Sequence, residues 1–187
     1  MEAALISVED VSGILAFWFE ELEPDQWFKK DEGLDNLIRS RFASVHHAAA
    51  RCELWPWRAT PYGRLAEIIL LDQFSRNIFR DQPEAFATDP LALALAQEAV
   101  SVGADKALTP QEKAFLYMPF MHSESLEVHN VAMELFNDES LASHFAAEQK
   151  HRDILLQFGR YPHRNAILGR DTTEDEEAFL KLPGTSF

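Results

Sequence analysis

Apolar positions recur at three- and four-residue intervals along most of the chain, and no convincing alternating strand appears. Val8, Val11, Leu15 and Trp18 form one stripe behind Ser7, a side chain suited to capping a helix start. Leu34, Ile38, Phe42 and Val45 form a second. Three later segments open on a capping residue followed by proline: Thr60-Pro61, Asp89-Pro90 and Thr109-Pro110. Proline at the first helical position loses no intrahelical bond, and Glu112 behind Thr109 completes a capping box. Gly103 and Gly159 mark helix ends. Pro119 predicts a break or kink in the helix from Pro110, with Ser123 starting the next. Ser140 and Thr173 are the expected caps of the last two. The pattern predicts an all-α fold of seven or eight helices, paired antiparallel through short loops. No linker or low-complexity tract divides residues 1–187, so one helical domain is expected.

The most informative segment is PYGRLAEIILLDQFSRNIF, from Pro61 to Phe79. At 100° per residue, Leu65, Ile68, Ile69, Leu70, Leu71 and Phe74 spread almost all round, which is the mark of a buried helix. Yet Asp72, Gln73, Arg76 and Asn77 share one sector of it. A lone buried charge costs several kcal/mol, roughly, so Asp72 and Arg76 at i,i+4 must pair or face a wet cleft.

Three further segments hold chemistry-bearing side chains. His122 and Glu124 follow Pro119 at a helix junction, where they suit an acid–base pair; a helix-dipole carboxylate and a carbonyl-bound histidine are the plainer explanation. His144, Glu148 and His151 share a helical face, but a di-iron bundle needs two Glu-x-x-His pairs and the chain has one, so no metal is expected. FGRYPHRNAILGR sets Arg160, His163, Arg164 and Arg170 close together, donors suited to carboxylate or phosphate. Trp55-Pro56-Trp57 is the one aromatic group expected to cover a cleft; the others read as core.

Charge narrows the functions. The 31 acidic and 17 basic residues give a formal net charge of −14, which disfavours nucleic acid and anionic membranes as partners. Cys52 is the one cysteine, so intrachain disulfides and cysteine-based zinc sites are excluded. The N-terminal MEAALISVED lacks the basic flank and apolar stretch of a secretory signal, and a cytoplasmic location is expected. No phosphate loop, nucleophile elbow or dinucleotide fingerprint occurs, and no cofactor is expected.

Taken in order, ILAFWF and QWFKKDEGLD, then LAEIILLDQFSRNIFRDQPEAFATD, EKAFLYMPFMHSE and KHRDILLQFGRYPHRNAILGR followed by TTEDEEAFL, resemble a mainly bacterial family, domain of unknown function nine-two-four. The resemblance implies an all-helical fold similar to tetratricopeptide-type hairpins and no assigned activity. It also ranks the polar residues. The matched segments hold Asp72, Gln73, Arg76, Asn77, Arg80, His122, Glu124, His151, Arg160, His163, Arg164 and Asn165, whereas His129, His144 and Glu148 fall outside them.

Three functions remain. The first is a binding module whose pocket takes a small anionic ligand or a peptide. Arg76, Asn77, Arg80, His151, Arg160, His163, Arg164 and Asn165 would line it, with Arg76, Arg80 and Arg164 holding the anion. The second is an acid–base enzyme with His122 as base or acid, oriented by Glu124 or Asp72; it requires His122 within reach of its carboxylate. The third is a structural domain whose charges form only internal ion pairs.

Overall fold

The computed structural model describes residues 8–185, so the Ser7 cap lies outside the described residues. Among them are α1 (Val8–Ala16), α2 (Glu32–Ala50), α3 (Pro61–Ile69), α4 (Ser75–Ile78), α5 (Asp89–Ser101), α6 (Pro110–Met121), α7 (Leu126–Leu135), α8 (Ala142–Phe158) and α9 (Glu174–Leu180). A wide π turn at Leu70–Phe74 joins α3 and α4 into one helix, so the described residues form eight helices and no strand. A second π turn, Phe17–Glu21, continues α1. No helix among the described residues is long and apolar enough to cross a membrane.

Local chemistry sets most of the boundaries. The side chains of Thr60, Thr109 and Thr173 cap α3, α6 and α9, the last two in full capping boxes. Gly103 and Gly159 follow α5 and α8 with φ of 71° and 72°, left-handed values that suit glycine. Four expectations are corrected. Helix α5 includes Asp89 in its first turn, and Thr88 takes the cap position. Pro119 lies inside α6, which ends only two residues later, so the lost bond falls in a turn that is already finishing. Ser125 rather than Ser123 precedes α7. Asp138 caps a short 3-10 turn, Glu139–Leu141, ahead of α8, in place of a Ser140 cap.

The helix from α3 to α4 runs through the centre. α2, α5 and α6 pack against its parts, and α7 and α8 continue the stack from α6. Leu65, Ile68, Ile69, Leu70, Leu71 and Phe74 are all fully buried, as an apolar circumference requires. Phe17, Phe42 and Phe74 meet ring to ring, while Trp18 lies against Trp27, Phe74 and Phe115. A smaller cluster of Ile154, Leu155 and Tyr161 packs with Leu126, Phe158 and Phe179.

The N–H of Gly63 meets Thr60 Oγ1 at 3.0 Å, and a Cβ there would collide with the Trp57 carbonyl oxygen. Gly63→Ala is therefore expected to destabilise the protein by about 1–3 kcal/mol despite alanine's better helix propensity. A denaturant midpoint equal to or above wild type would contradict this. Burial also lowers the pKa of several histidines, among them His46 and His163 to about 4 and His151 to about 3. Unfolded histidine takes a proton near pH 6.5, so their contribution is complete above that pH and is lost as pH falls toward 4. Stability should drop between pH 6.5 and 5 with a slope approaching about 1.4 kcal/mol per pH unit for each histidine. Urea unfolding across that range checks it, and His46→Gln should flatten the slope.

Candidate functional site

The π turn of the central helix carries Asp72. Such turns widen the helix by one residue and recur at functional sites. The Asp72 carboxylate is wholly buried, and three neighbours compensate it. Gln73 Nε2 donates at 2.6 Å, His122 Nδ1 lies 2.7 Å from Oδ1, and Arg76 Nη1 is 3.4 Å from the same oxygen. Burial pushes the Asp72 pKa up, but the charges of His122 and Arg76 and the bonds from His122 and Gln73 outweigh it, leaving a pKa of about 2. The His122 pKa is lowered, chiefly by burial, with Arg76 adding to the effect and Asp72 opposing it. At neutral pH the pair is thus an ionised carboxylate and a neutral imidazole. Its proton sits on Nδ1, where Asp72 accepts it, and Nε2 keeps a lone pair. Nε2 has no hydrogen-bond partner among the described residues, and His122 is one of the residues that line a cleft.

A circuit of charges closes around this pair. Arg76 donates to the Asp72 carbonyl at 2.6 Å and grips Asp89 through two bonds of 2.9 and 3.1 Å. Arg164 reaches Asp89 at 3.2 Å and the His122 carbonyl at 2.9 Å, which returns the circuit to His122. The Arg164 guanidinium lies between the rings of Phe86 and Tyr161, 4.6 and 4.9 Å from their centres. The cleft encloses about 400 Å³ between the Pro83–Phe86 turn, the start of α5 and the end of α6. Pro83, Phe86, Leu93 and Leu168 give it apolar walls, and Ser123 and Glu124 adjoin His122. The Ser123 hydroxyl has no partner among the described residues. Glu124 is held by Arg170 at 2.7 and 3.0 Å and by the Tyr161 N–H at 2.6 Å.

The structure brings Asp72, Arg76, His122, Glu124 and Arg164 to one region, keeps His151 and His163 near enough to interact electrostatically with His122, and engages Asn77, Arg80, Arg160 and Asn165 in other contacts. Arg80 does not join Arg76 and Arg164: its Nε and Nη2 both bind Asp35, a buried carboxylate that Asn77 also contacts at 2.8 Å. Arg160 binds Glu176 at 2.6 and 2.8 Å and the Asp171 carbonyl. Asn165 joins Glu176 and Arg170. His151 Nδ1 lies on the Ala147 carbonyl at 2.8 Å, and the His163 ring is 5.6 Å from that of Tyr161. Of the two carboxylates offered to His122, Asp72 takes the role and Glu124 is occupied by Arg170. The His144, Glu148 and His151 face is also divided: His144 stacks on Phe136 and Glu148 binds His129. Trp55-Pro56-Trp57 is not part of the cleft wall; Trp57 is buried in the core and Trp55 is exposed.

Asp89 is the residue that sequence reasoning missed. Asp-Pro reads as a helix start, and nothing local signals arginines arriving from 13 and 75 positions away. The hint was compositional: a fully apolar helix bearing Arg76 needs more than one half-satisfied carboxylate.

The comparison with curated proteins finds no match. Among solved structures, a protein of unknown function from Agrobacterium tumefaciens, ATU0120, is 42% identical, with a TM-score of 0.87 over 91% of this chain and 96% of that one. Residues 14–184 match the family described as bacterial protein of unknown function, DUF924, and the chain belongs to that family.

Proposed function

We propose that the cleft is a catalytic site in which His122 Nε2 acts as a general base, with Asp72 as its orienting carboxylate. The observation that carries this is the 2.7 Å contact between Asp72 Oδ1 and His122 Nδ1, with Nε2 left unpartnered beside a cleft. A carboxylate on one ring nitrogen fixes the tautomer and stabilises the imidazolium formed when the other takes a proton. The reaction class is proton abstraction from a hydroxyl or water during hydrolysis. The Ser123 hydroxyl, at the same wall, supplies a hydrogen-bonding group to the substrate.

The charges at the cleft suggest the substrate. Arg76, Arg164 and Arg170 are each met by a carboxylate, from Asp72, Asp89 or Glu124, and the one Arg164 donor without a hydrogen-bond partner among the described residues, Nε, is buried. That pairing supports an uncharged substrate with an apolar portion against Phe86, Leu93 and Leu168 better than it supports a small anion or an acidic peptide. A purely structural set of ion pairs leaves the His122 lone pair unexplained.

The test is hydrolysis of a panel of chromogenic esters, amides and phosphoesters by wild type, His122→Ala and Asp72→Asn, each checked for folding by circular dichroism. One neutral class should be turned over, with a loss of about 10²–10⁴-fold in both variants. The lowered His122 pKa sets the pH profile: activity should rise with a midpoint below pH 6.5 and stay level through pH 7–8. Equal rates in wild type and His122→Ala would sink the reading.

A further inference from the structure

Three successive carbonyls around His122 are each held by a side chain from elsewhere in the chain. Met121 O accepts from the Tyr161 hydroxyl at 2.6 Å, His122 O from Arg164 at 2.9 Å, and Ser123 O from His129 Nε2 at 2.9 Å. They lie at the end of α6, where helix carbonyls lose their own partners. Pro119 has already removed one N–H from that last turn. His129 Nε2 and the Tyr161 hydroxyl are also 3.1 Å apart, and His129 Nδ1 is 2.5 Å from Glu148 Oε1. His129 and Glu148 are both wholly buried, and neither they nor Tyr161 line the cleft.

This is costly architecture for a packing role. Apolar residues of the same volume would fill the space without desolvating two ionisable groups. Glu148 Oε2 is buried with no hydrogen-bond partner among the described residues. What the cluster does supply is position. His122 reaches Asp72 across two helices, and such a contact survives only if the backbone is fixed to within about 0.5 Å. Because a carbonyl only accepts, His129 must carry a proton on Nε2, and a second proton, on Nδ1 or on the carboxyl, joins the ring to Glu148 Oε1 and orients it.

We propose that the buried His129–Glu148 pair, with Tyr161, positions His122 by pinning the Met121 and Ser123 carbonyls, so that the imidazole stays on Asp72. His129, Glu148 and Tyr161 are positioning residues, and the proposal rests on the reading of His122 as the base.

The test needs no substrate. Ring 1H–15N spectra of His122 report its tautomer and titration in wild type, His129→Leu, His129→Gln and Tyr161→Phe. Wild type should hold a single tautomer, protonated at Nδ1. His129→Leu and Tyr161→Phe should mix the two tautomers, because the imidazole is no longer held on Asp72. Glutamine can still donate to the Ser123 carbonyl, so His129→Gln should restore the wild-type spectrum. Unchanged His122 signals in the leucine and phenylalanine variants overturn the proposal even if both are less stable. Failure of glutamine to restore them does too, assigning the effect to lost packing. If His129→Leu does not fold, Tyr161→Phe, which lacks one hydroxyl, decides alone. A wild-type His122 protonated at Nε2 instead would defeat the base itself, an outcome distinct from failure of the positioning device.

Discussion

A carboxylate at the centre of an apolar helix imposes its demands on everything near it. Asp72 sits among Leu70, Leu71 and Phe74, all without solvent contact, where an isolated charge would be costly enough to neutralise itself. It stays ionised because a histidine from the end of α6, an amide next in sequence and an arginine one turn on converge upon it. Each of these then needs its own partner. Arg76 requires a second carboxylate, which Asp89 supplies from the start of α5; Asp89 in turn holds Arg164, which binds the backbone of His122. One buried charge thereby ties four separated segments into a closed ring, and the cleft is the space that ring leaves open.

The same constraint decides the chemistry. With Asp72 ionised and His122 neutral, the imidazole has one nitrogen committed and one available, which is a different object from a solvated histidine of mixed tautomers. On the proposed catalytic reading, the surrounding groups are fixed before a substrate arrives, which leaves little reorganisation for the reaction step. The wide turn contributes here as well: it occupies the stretch of helix that carries both Asp72 and Gln73.

Much of this was legible in the chain. The apolar circumference of residues 61–79 and the polar sector within it identified a buried helix and its problem, and the i,i+4 spacing of Asp72 and Arg76 put them within reach of each other. The helix count and the caps at Thr60, Thr109 and Thr173 followed from side chains that act within one turn. What stayed hidden depends on distance in sequence. Arg80 looked equivalent to Arg76, but Asp35, 45 positions away, claims it. Asp89 carried only the signature of a helix start. The π turn escaped because a single inserted residue does not disturb a helix that is apolar on all sides. His129 and Glu148 were set aside because they fell outside the segments resembling the family, although they are buried against the very backbone that presents His122.

Charge balance separates the two functional readings most sharply. An anion-binding pocket needs donors that remain unspent when the ligand is absent, since a guanidinium already gripped by a carboxylate must break that contact to bind another. Arg76 and Arg164 share Asp89, Arg170 is doubly bonded to Glu124, and Arg164 Nε, which has no hydrogen-bond partner among the described residues, is buried. Inside a protein carrying a formal charge of −14, no surplus of positive field compensates for such an exchange. His122 Nε2 and the Ser123 hydroxyl are, by contrast, uncharged groups whose use breaks nothing. On the proposed reading, the arginines are the frame that keeps a neutral imidazole beside a permanent carboxylate, and the substrate is a molecule that meets the imidazole without disturbing the frame.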